Sequence, residues 1–126
     1  MSGYSVELEK AALANAYFRK VLFTAPHSQL VLMSLQPGED IGMEVHDHTD
    51  QFIRIEAGEA KAIIDGQEHV LKDGSAVVIP AGSRHNVINT SAKAPLKLYT
   101  IYTPPEHADG TVHKTKAEAV AAHRGH

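Results

Sequence analysis

The sequence predicts an all-β domain, a sandwich or barrel of short strands with a short helix at each end. Three observations carry this. Short runs rich in β-branched and aliphatic residues recur at close spacing from residue 19 to residue 102 and are separated by Gly and Pro turns, the pattern of a sandwich or barrel. No helix-length stretch lies between these runs, which argues against a βαβ fold. Asp65-Gly66 stands between two apolar-rich halves of KAIIDGQEHVL, and this dipeptide suits the type I′ hairpin turn, whose two central residues need positive φ.

The elements follow in order. Residues 5–18, SVELEKAALANAYF, are good helix formers without an early breaker and predict a short N-terminal helix. RKVLFT and SQLVLMSLQ read as strands separated by the turn-prone APH, and Pro37-Gly38 ends the second. IGMEVH and QFIRIEAG are the next two strands. The Asp65-Gly66 hairpin comes after them, and Asp73-Gly74 marks a further turn. SAVVIP, NVINT and LKLYTIY continue the series until Pro104-Pro105 stops it. In the tail, KTKAEAVAAHR is helical again, and Thr115 with Glu118 matches a capping box. The expected division is a helical extension over residues 1–20, a barrel over 21–105 and a tail with a short helix over 106–126.

Strand parity assigns faces. Gln51, Ile53 and Ile55 share one face, and Phe52, Arg54 and Glu56 share the other. With Gln51 inside, Arg54 points out and can pair with Glu56. Val77 and Ile79 alternate with Ala76 and Val78, so both faces of that strand are apolar, and a partner subunit is expected to cover the outer one. Tyr99 or Tyr102 could offer a hydroxyl to a ligand, although an aromatic packed with its OH at the rim is the commoner case. His27, His69 and His107 have no partner pattern and are expected at the surface.

Composition excludes several classes. The 126 residues suit one domain with a proper core. A net charge of −3 gives no basic footprint for nucleic acid. No apolar run approaches the roughly 18 residues that span a bilayer, and the first 20 residues have no apolar signal core, so no membrane or secretory signal is expected. The absence of cysteine rules out disulfides and thiolate metal sites and fits a cytoplasmic protein. There is no glycine-rich phosphate loop and no nucleophile elbow. Of the nine histidines, His113, His123 and His126 fall near the C-terminus and read as a solvated tail.

The chemistry is concentrated between residues 38 and 89. Gly74, Pro80, Gly82, His85 and Asn89 have the spacing G-x5-P-x-G-x2-H-x3-N, which resembles the second motif of the cupin superfamily at every fixed position. The first cupin motif reads G-x5-H-x-H-x3–4-E-x6-G. Counting back from Gly58 places Gln51 at the glutamate position, His46 and Glu44 at the two histidine positions, and Gly38 at the opening glycine. Taking the visible pair His46 and His48 instead breaks the spacing on both sides. The chain therefore resembles a cupin carrying Glu for His at position 44 and Gln for Glu at position 51. Its strands and ending also resemble a group of small single-domain cupins, mostly of unknown activity.

The resemblance implies a double-stranded β-helix, or jelly-roll barrel, with a divalent metal (Fe, Mn, Ni or Zn) held by Glu44, His46, Gln51 and His85. Glu44, His46 and His85 resemble a 2-His-1-carboxylate set, which leaves open positions on the metal. Gln51 offers only a neutral carbonyl oxygen. His48 is an alternative ligand, an orienting donor or a solvated loop residue. Asp47 and Asp50 are loop carboxylates, either of which could orient a histidine through its free N–H. No further catalytic acid or base stands out. The implied function is isomerase- or oxygenase-type chemistry on a small molecule. A non-catalytic small-ligand-binding cupin with a degenerate or empty metal site is the alternative, since fold does not decide function. A homodimer is expected from the apolar outer face.

Overall fold

The structure, a computed structural model, describes residues 2–124; Met1, Gly125 and His126 lie outside the described residues. Nine strands follow a first helix, α1 (Leu8–Ala14): β1 (Arg19–Thr24), β2 (Gln29–Leu35), β3 (Asp50–Ala57), β4 (Ala60–Ile64), β5 (Gln67–Leu71), β6 (Ala76–Ile79), β7 (His85–Asn89), β8 (Leu96–Thr103) and β9 (Val112–His113). A second helix, α2 (Lys116–Arg124), comes last. The strands form a six-stranded sheet in the order β6-β3-β8-β2-β1-β9 and a three-stranded sheet in the order β5-β4-β7. Every pairing is antiparallel. Among the described residues no helix is long and apolar enough to cross a membrane.

The alternation in the sequence sets the inner faces. On β3, Gln51, Ile53 and Ile55 are buried while Phe52, Arg54 and Glu56 are only partly covered, as parity requires. The outward Arg54 and Glu56 form an ion pair at 2.9 Å. On β8, Leu96, Leu98, Thr100 and Tyr102 turn inward. Ala60, Ala62 and Val87 of the small sheet pack against these residues and against Val31, Met33 and Leu35 of β2. The interior is therefore graded. Leu35, Ile55, Leu96 and Leu98 fill one end, and Gln51, Thr100, Tyr102 and His85 bring polar groups to the other.

Asn89 closes the inner row of β7 at the apolar end. Its Nδ2 donates to the carbonyls of Leu35, Gln36 and Ala94 at 3.0–3.1 Å, and its Oδ1 accepts from the Ser91 N–H. Gly58, after β3, has φ +114°, and a Cβ there would lie 3.1 Å from the Pro95 carbonyl oxygen, so both backbone angle and space call for glycine.

Three elements differ from the sequence expectation. The first helix has seven residues rather than the fourteen of 5–18. It stops because Asn15 folds its side chain onto the backbone of Tyr17, with Nδ2 donating to the Tyr17 carbonyl and Oδ1 accepting from the Tyr17 N–H, a local competition typical of asparagine. The helix nonetheless covers the outside of the large sheet, where Lys97 donates to Asn15 O and Ser34 Oγ; burial there pushes the Lys97 amine below its usual range. The strand expected at IGMEVH is only two isolated bridges, Asp40 to Ile88 and Glu44 to His85, with Gly42 at φ +109° between them. The two-residue β9, which nothing in the sequence marks, adds Val112 and His113 to the edge of β1. The second helix begins as its capping box predicts at Thr115, whose Oγ1 accepts from the Glu118 N–H; the Glu118 carboxylate accepts from the Lys114 N–H, one residue earlier than the motif implies.

Candidate metal centre

The bridge between residues 44 and 85 builds the site. The Glu44 N–H donates to the His85 carbonyl at 2.8 Å and the His85 N–H returns to Glu44 O at 2.9 Å, which fixes the two side chains side by side at the polar end of the barrel. His46 follows two residues later, and its carbonyl accepts from the Gly82 N–H. One ligand atom from each of Glu44, His46 and His85 lies within 4.8 Å of the others. His46 and His85 are buried, and Glu44 is half-buried.

A hydrogen bond sets the tautomer of one ring, and a carboxylate contact bears on the other. His85 Nδ1 sits 3.0 Å from the Ser83 carbonyl, which can only accept, so Nδ1 carries the proton and Nε2 is left as a donor atom for a metal. His46 Nδ1 lies 3.2 Å from Glu106 Oε1, while its Nε2 lies 3.8 Å from Glu44 Oε2. His46 Nε2 is enclosed and makes no hydrogen bond. A lone pair facing a carboxylate in an enclosed space is an unstable arrangement unless a proton or a cation lies between them.

Gln51 sits on β3 opposite Tyr102. Its Nε2 donates to Thr100 Oγ1 at 3.1 Å and Tyr102 Oη at 3.3 Å, and its Oε1 is buried without a partner. Tyr102 also packs edge-on against His46, ring centroids 5.9 Å apart. Burial raises the Tyr102 phenol above its usual range, so it keeps its proton. Tyr99, the other tyrosine considered, packs outside against Phe52. His48 lies exposed in a turn and is not in the Glu44–His46–His85 group. Asp50 accepts from the Ala81 N–H rather than from a histidine, and Asp47 is exposed.

The carboxylate that orients His46 is instead Glu106, in the loop after β8, a residue without any motif position. Gln29 holds that loop in place. Its Oε1 accepts from the backbone N–H groups of Glu106 and His107, and its Nε2 donates to the His107 carbonyl at 2.7 Å. His107, expected at the surface, is drawn in against Tyr102, ring centroids 5.1 Å apart, with its Nε2 enclosed. Burial first, and then the charges of Arg19, His46 and His113, push its pKa down to about 3. His113, expected in a solvated tail, lies on β9 and is half-buried. A cleft of about 670 Å³ opens over the centre, bordered by the segment from Ile41 to His46, the loop around Glu106 and one side of α2. Lys116 anchors α2 there through a salt bridge to Asp40, which, with a further bond from Asn86, holds the Asp40 carboxyl below its usual range.

The comparisons with known proteins agree with this architecture. A family model described as "Cupin domain" matches residues 31–102. The chain is 51% identical to the uncharacterised protein YrkC of Bacillus subtilis, over 94% of this chain and 67% of that protein. It is 49% identical to the uncharacterised protein L612 of Acanthamoeba polyphaga mimivirus, over 86% of this chain and 70% of that one. The crystal structure of BH2720 from Bacillus halodurans superposes with a TM-score of 0.91 at 46% identity, covering 94% of this chain and 93% of the other. The graded jelly-roll interior, the counted motif spacing and the family match over more than half of the chain together make this protein a member of the cupin family.

Proposed function

We propose that Glu44, His46, Gln51 and His85 hold a divalent metal and that the protein acts through it on a small molecule entering the cleft. The carrying observation is the pair of enclosed atoms without partners, His46 Nε2 and Gln51 Oε1. Both are metal-donor types, and both belong to side chains whose other polar atom is already engaged. Two imidazoles with one carboxylate suit Fe, Mn, Ni or Zn and leave positions open. When bound, such an ion supplies Lewis acidity or a site for O2, the basis of isomerase- or oxygenase-type chemistry.

The chain's own residues have distinct parts in this reading. Glu106 holds the Nδ1 proton of His46, and the Ser83 carbonyl holds that of His85, so each ring presents Nε2. Tyr102, kept protonated by burial, accepts from the Gln51 amide and so holds that side chain in place. Gln51 offers the ion only a neutral carbonyl oxygen, a weaker donor than a carboxylate, although Glu44 in place of histidine keeps the protein charge of the set at that of three histidines and one glutamate. That neutral amide supports the second reading, a cupin that binds a small ligand without turning it over. A homodimer through the outer sheet face is part of the proposal: Val78 is 62% exposed beside Phe52, and light scattering that finds only monomer at micromolar concentration argues against it. The absence of cysteine supports a reducing compartment such as the cytoplasm.

Elemental analysis of protein purified without a His tag or chelator tests the metal reading. Near-stoichiometric Fe, Mn, Ni or Zn is expected, lost in Glu44→Ala and kept in His48→Ala. No metal in any preparation, even after reloading with each ion, overturns it in favour of the ligand-binding reading. Loss in His48→Ala alone assigns the site to the His46–His48 pair.

A further inference from the structure

The same cleft contains a buried cation without a counter-charge. Arg19, on β1, is 7% exposed. Buried charges are ordinarily paired, because desolvating an unpaired one is costly. Yet among the described residues no carboxylate lies within ion-pair distance of Arg19. Its Nη1 meets His113 Nδ1 at 3.3 Å, where the imidazole can only accept from a guanidinium and so adds no compensating charge. Its Nε is enclosed without any hydrogen-bond partner. The guanidinium carbon lies 5.3 Å from the ring centre of Phe18, a contact that steers the group without neutralising it.

Arg19 is also within electrostatic reach of the centre. Its charge acts on both Tyr102 and His107, and Tyr102 packs against His46. Arg19, His113, Lys116, Glu44, His46 and Glu106 all line the one cleft. The other charges there are committed. Lys116 is bound to Asp40, and Glu44 and Glu106 both flank His46. A cleft of about 670 Å³ is in the usual range for small-molecule sites.

We propose that Arg19 anchors an oxyanion of the ligand, so that the small molecule is a carboxylate or a phosphate held by the guanidinium at one end and directed at the Glu44–His46–His85 centre with the other. A guanidinium fork matches a two-oxygen edge and forms its strongest hydrogen bonds with such groups. The first half of the proposal stands on Arg19 alone; the second half rests on the metal reading above.

The test is a titration of the wild-type protein, chelator-treated and metal-loaded, with succinate, inorganic phosphate and the neutral succinamide, followed through the Arg19 Nε–H signal by 1H–15N NMR. A saturable shift is expected with succinate or phosphate in both forms of the protein and none with succinamide. The tighter of the two anions identifies the group as carboxylate or phosphate. Arg19→Gln should weaken that anion at least tenfold, and Arg19→Lys by less, while metal content stays as in wild type. Equal shifts with succinamide, no saturable shift with either anion in either form, or unchanged anion affinity in a folded Arg19→Gln variant overturns the proposal. Because the chelated protein is measured separately, a failed metal reading leaves this result interpretable. The wild-type titration also decides the matter if the variants do not fold.

Discussion

Replacing His107 with phenylalanine should remove a specific part of the protein's sensitivity to acid. The ring stays packed against Tyr102, but the titrating group is gone. Burial and the neighbouring Arg19 charge hold the native His107 pKa at about 3, against about 6.5 in an unfolded chain. Between those values the unfolded state binds the proton and the folded state does not. The stability tied to neutral His107 is therefore fully present above pH 6.5 and is lost as pH falls toward 3. At about 1.4 kcal/mol per pH unit, the loss between pH 7 and pH 5 comes to about 2 kcal/mol. Asp40, whose carboxyl is held below its ordinary value, titrates beneath this window and does not contribute to it. Urea unfolding followed by circular dichroism, with chelator present to remove metal linkage, measures the difference. Wild type should lose about 2 kcal/mol more than His107→Phe over those two pH units. Equal losses in the two proteins would show that His107 is not the buried neutral group described here.

Two other substitutions probe the barrel at its opposite ends. Asn89→Ala strands the buried carbonyls of Leu35, Gln36 and Ala94 and should cost roughly 2–4 kcal/mol. Thermal unfolding would then shift down by roughly 10 °C, and a change under about 0.5 kcal/mol would contradict the network. Gln51→Glu places a second carboxylate beside the centre, where Thr100 and Tyr102 hydroxyls can donate to it. Metal-free protein should become less stable because a buried charge is uncompensated, while divalent-ion affinity should rise at least tenfold, measured by competition with a chelating dye. Unchanged affinity would mean that residue 51 does not face the ion.

The sequence made the trio legible because motif spacing is a statement about topology. Counting from Gly58 back to Gly38 selects Glu44 and His46 rather than the conspicuous His46–His48 pair, and the structure groups Glu44, His46 and His85 with His48 exposed in a turn. Strand parity likewise put Gln51 and Arg54 on opposite faces, so that with Gln51 inside Arg54 turns out, as the structure has them. What stayed hidden depends on contacts distant along the chain. Arg19 reaches the cleft from β1, and His113 reaches it from a strand of two residues. Glu106 and His107 are positioned by Gln29, 77 and 78 residues away. Neither periodicity nor turn chemistry carries information over such separations. The overlong first helix has a local cause: helix propensity weighs the run from Ser5 to Phe18 as a whole, while one asparagine at position 15, folding onto the backbone of Tyr17, ends it.

The paired amides of Glu44 and His85 have a mechanical consequence. These two donors belong to one rung, closed by hydrogen bonds of 2.8 and 2.9 Å in opposite directions, so neither can swing away on its own backbone without breaking both. The rung holds their backbones at a fixed separation, and only the side-chain torsions remain free. If a cation is held there, it cannot draw on backbone give at the rung, and the adjustment falls to the Glu44 side-chain torsions and to His46, which sits beyond the rung beside Glu106 of another loop. In the metal reading, the rung thus fixes where the Glu44 and His85 side chains start along the edge of the small sheet, and the third member of the trio, His46, is the one that a carboxylate from a distant loop contacts.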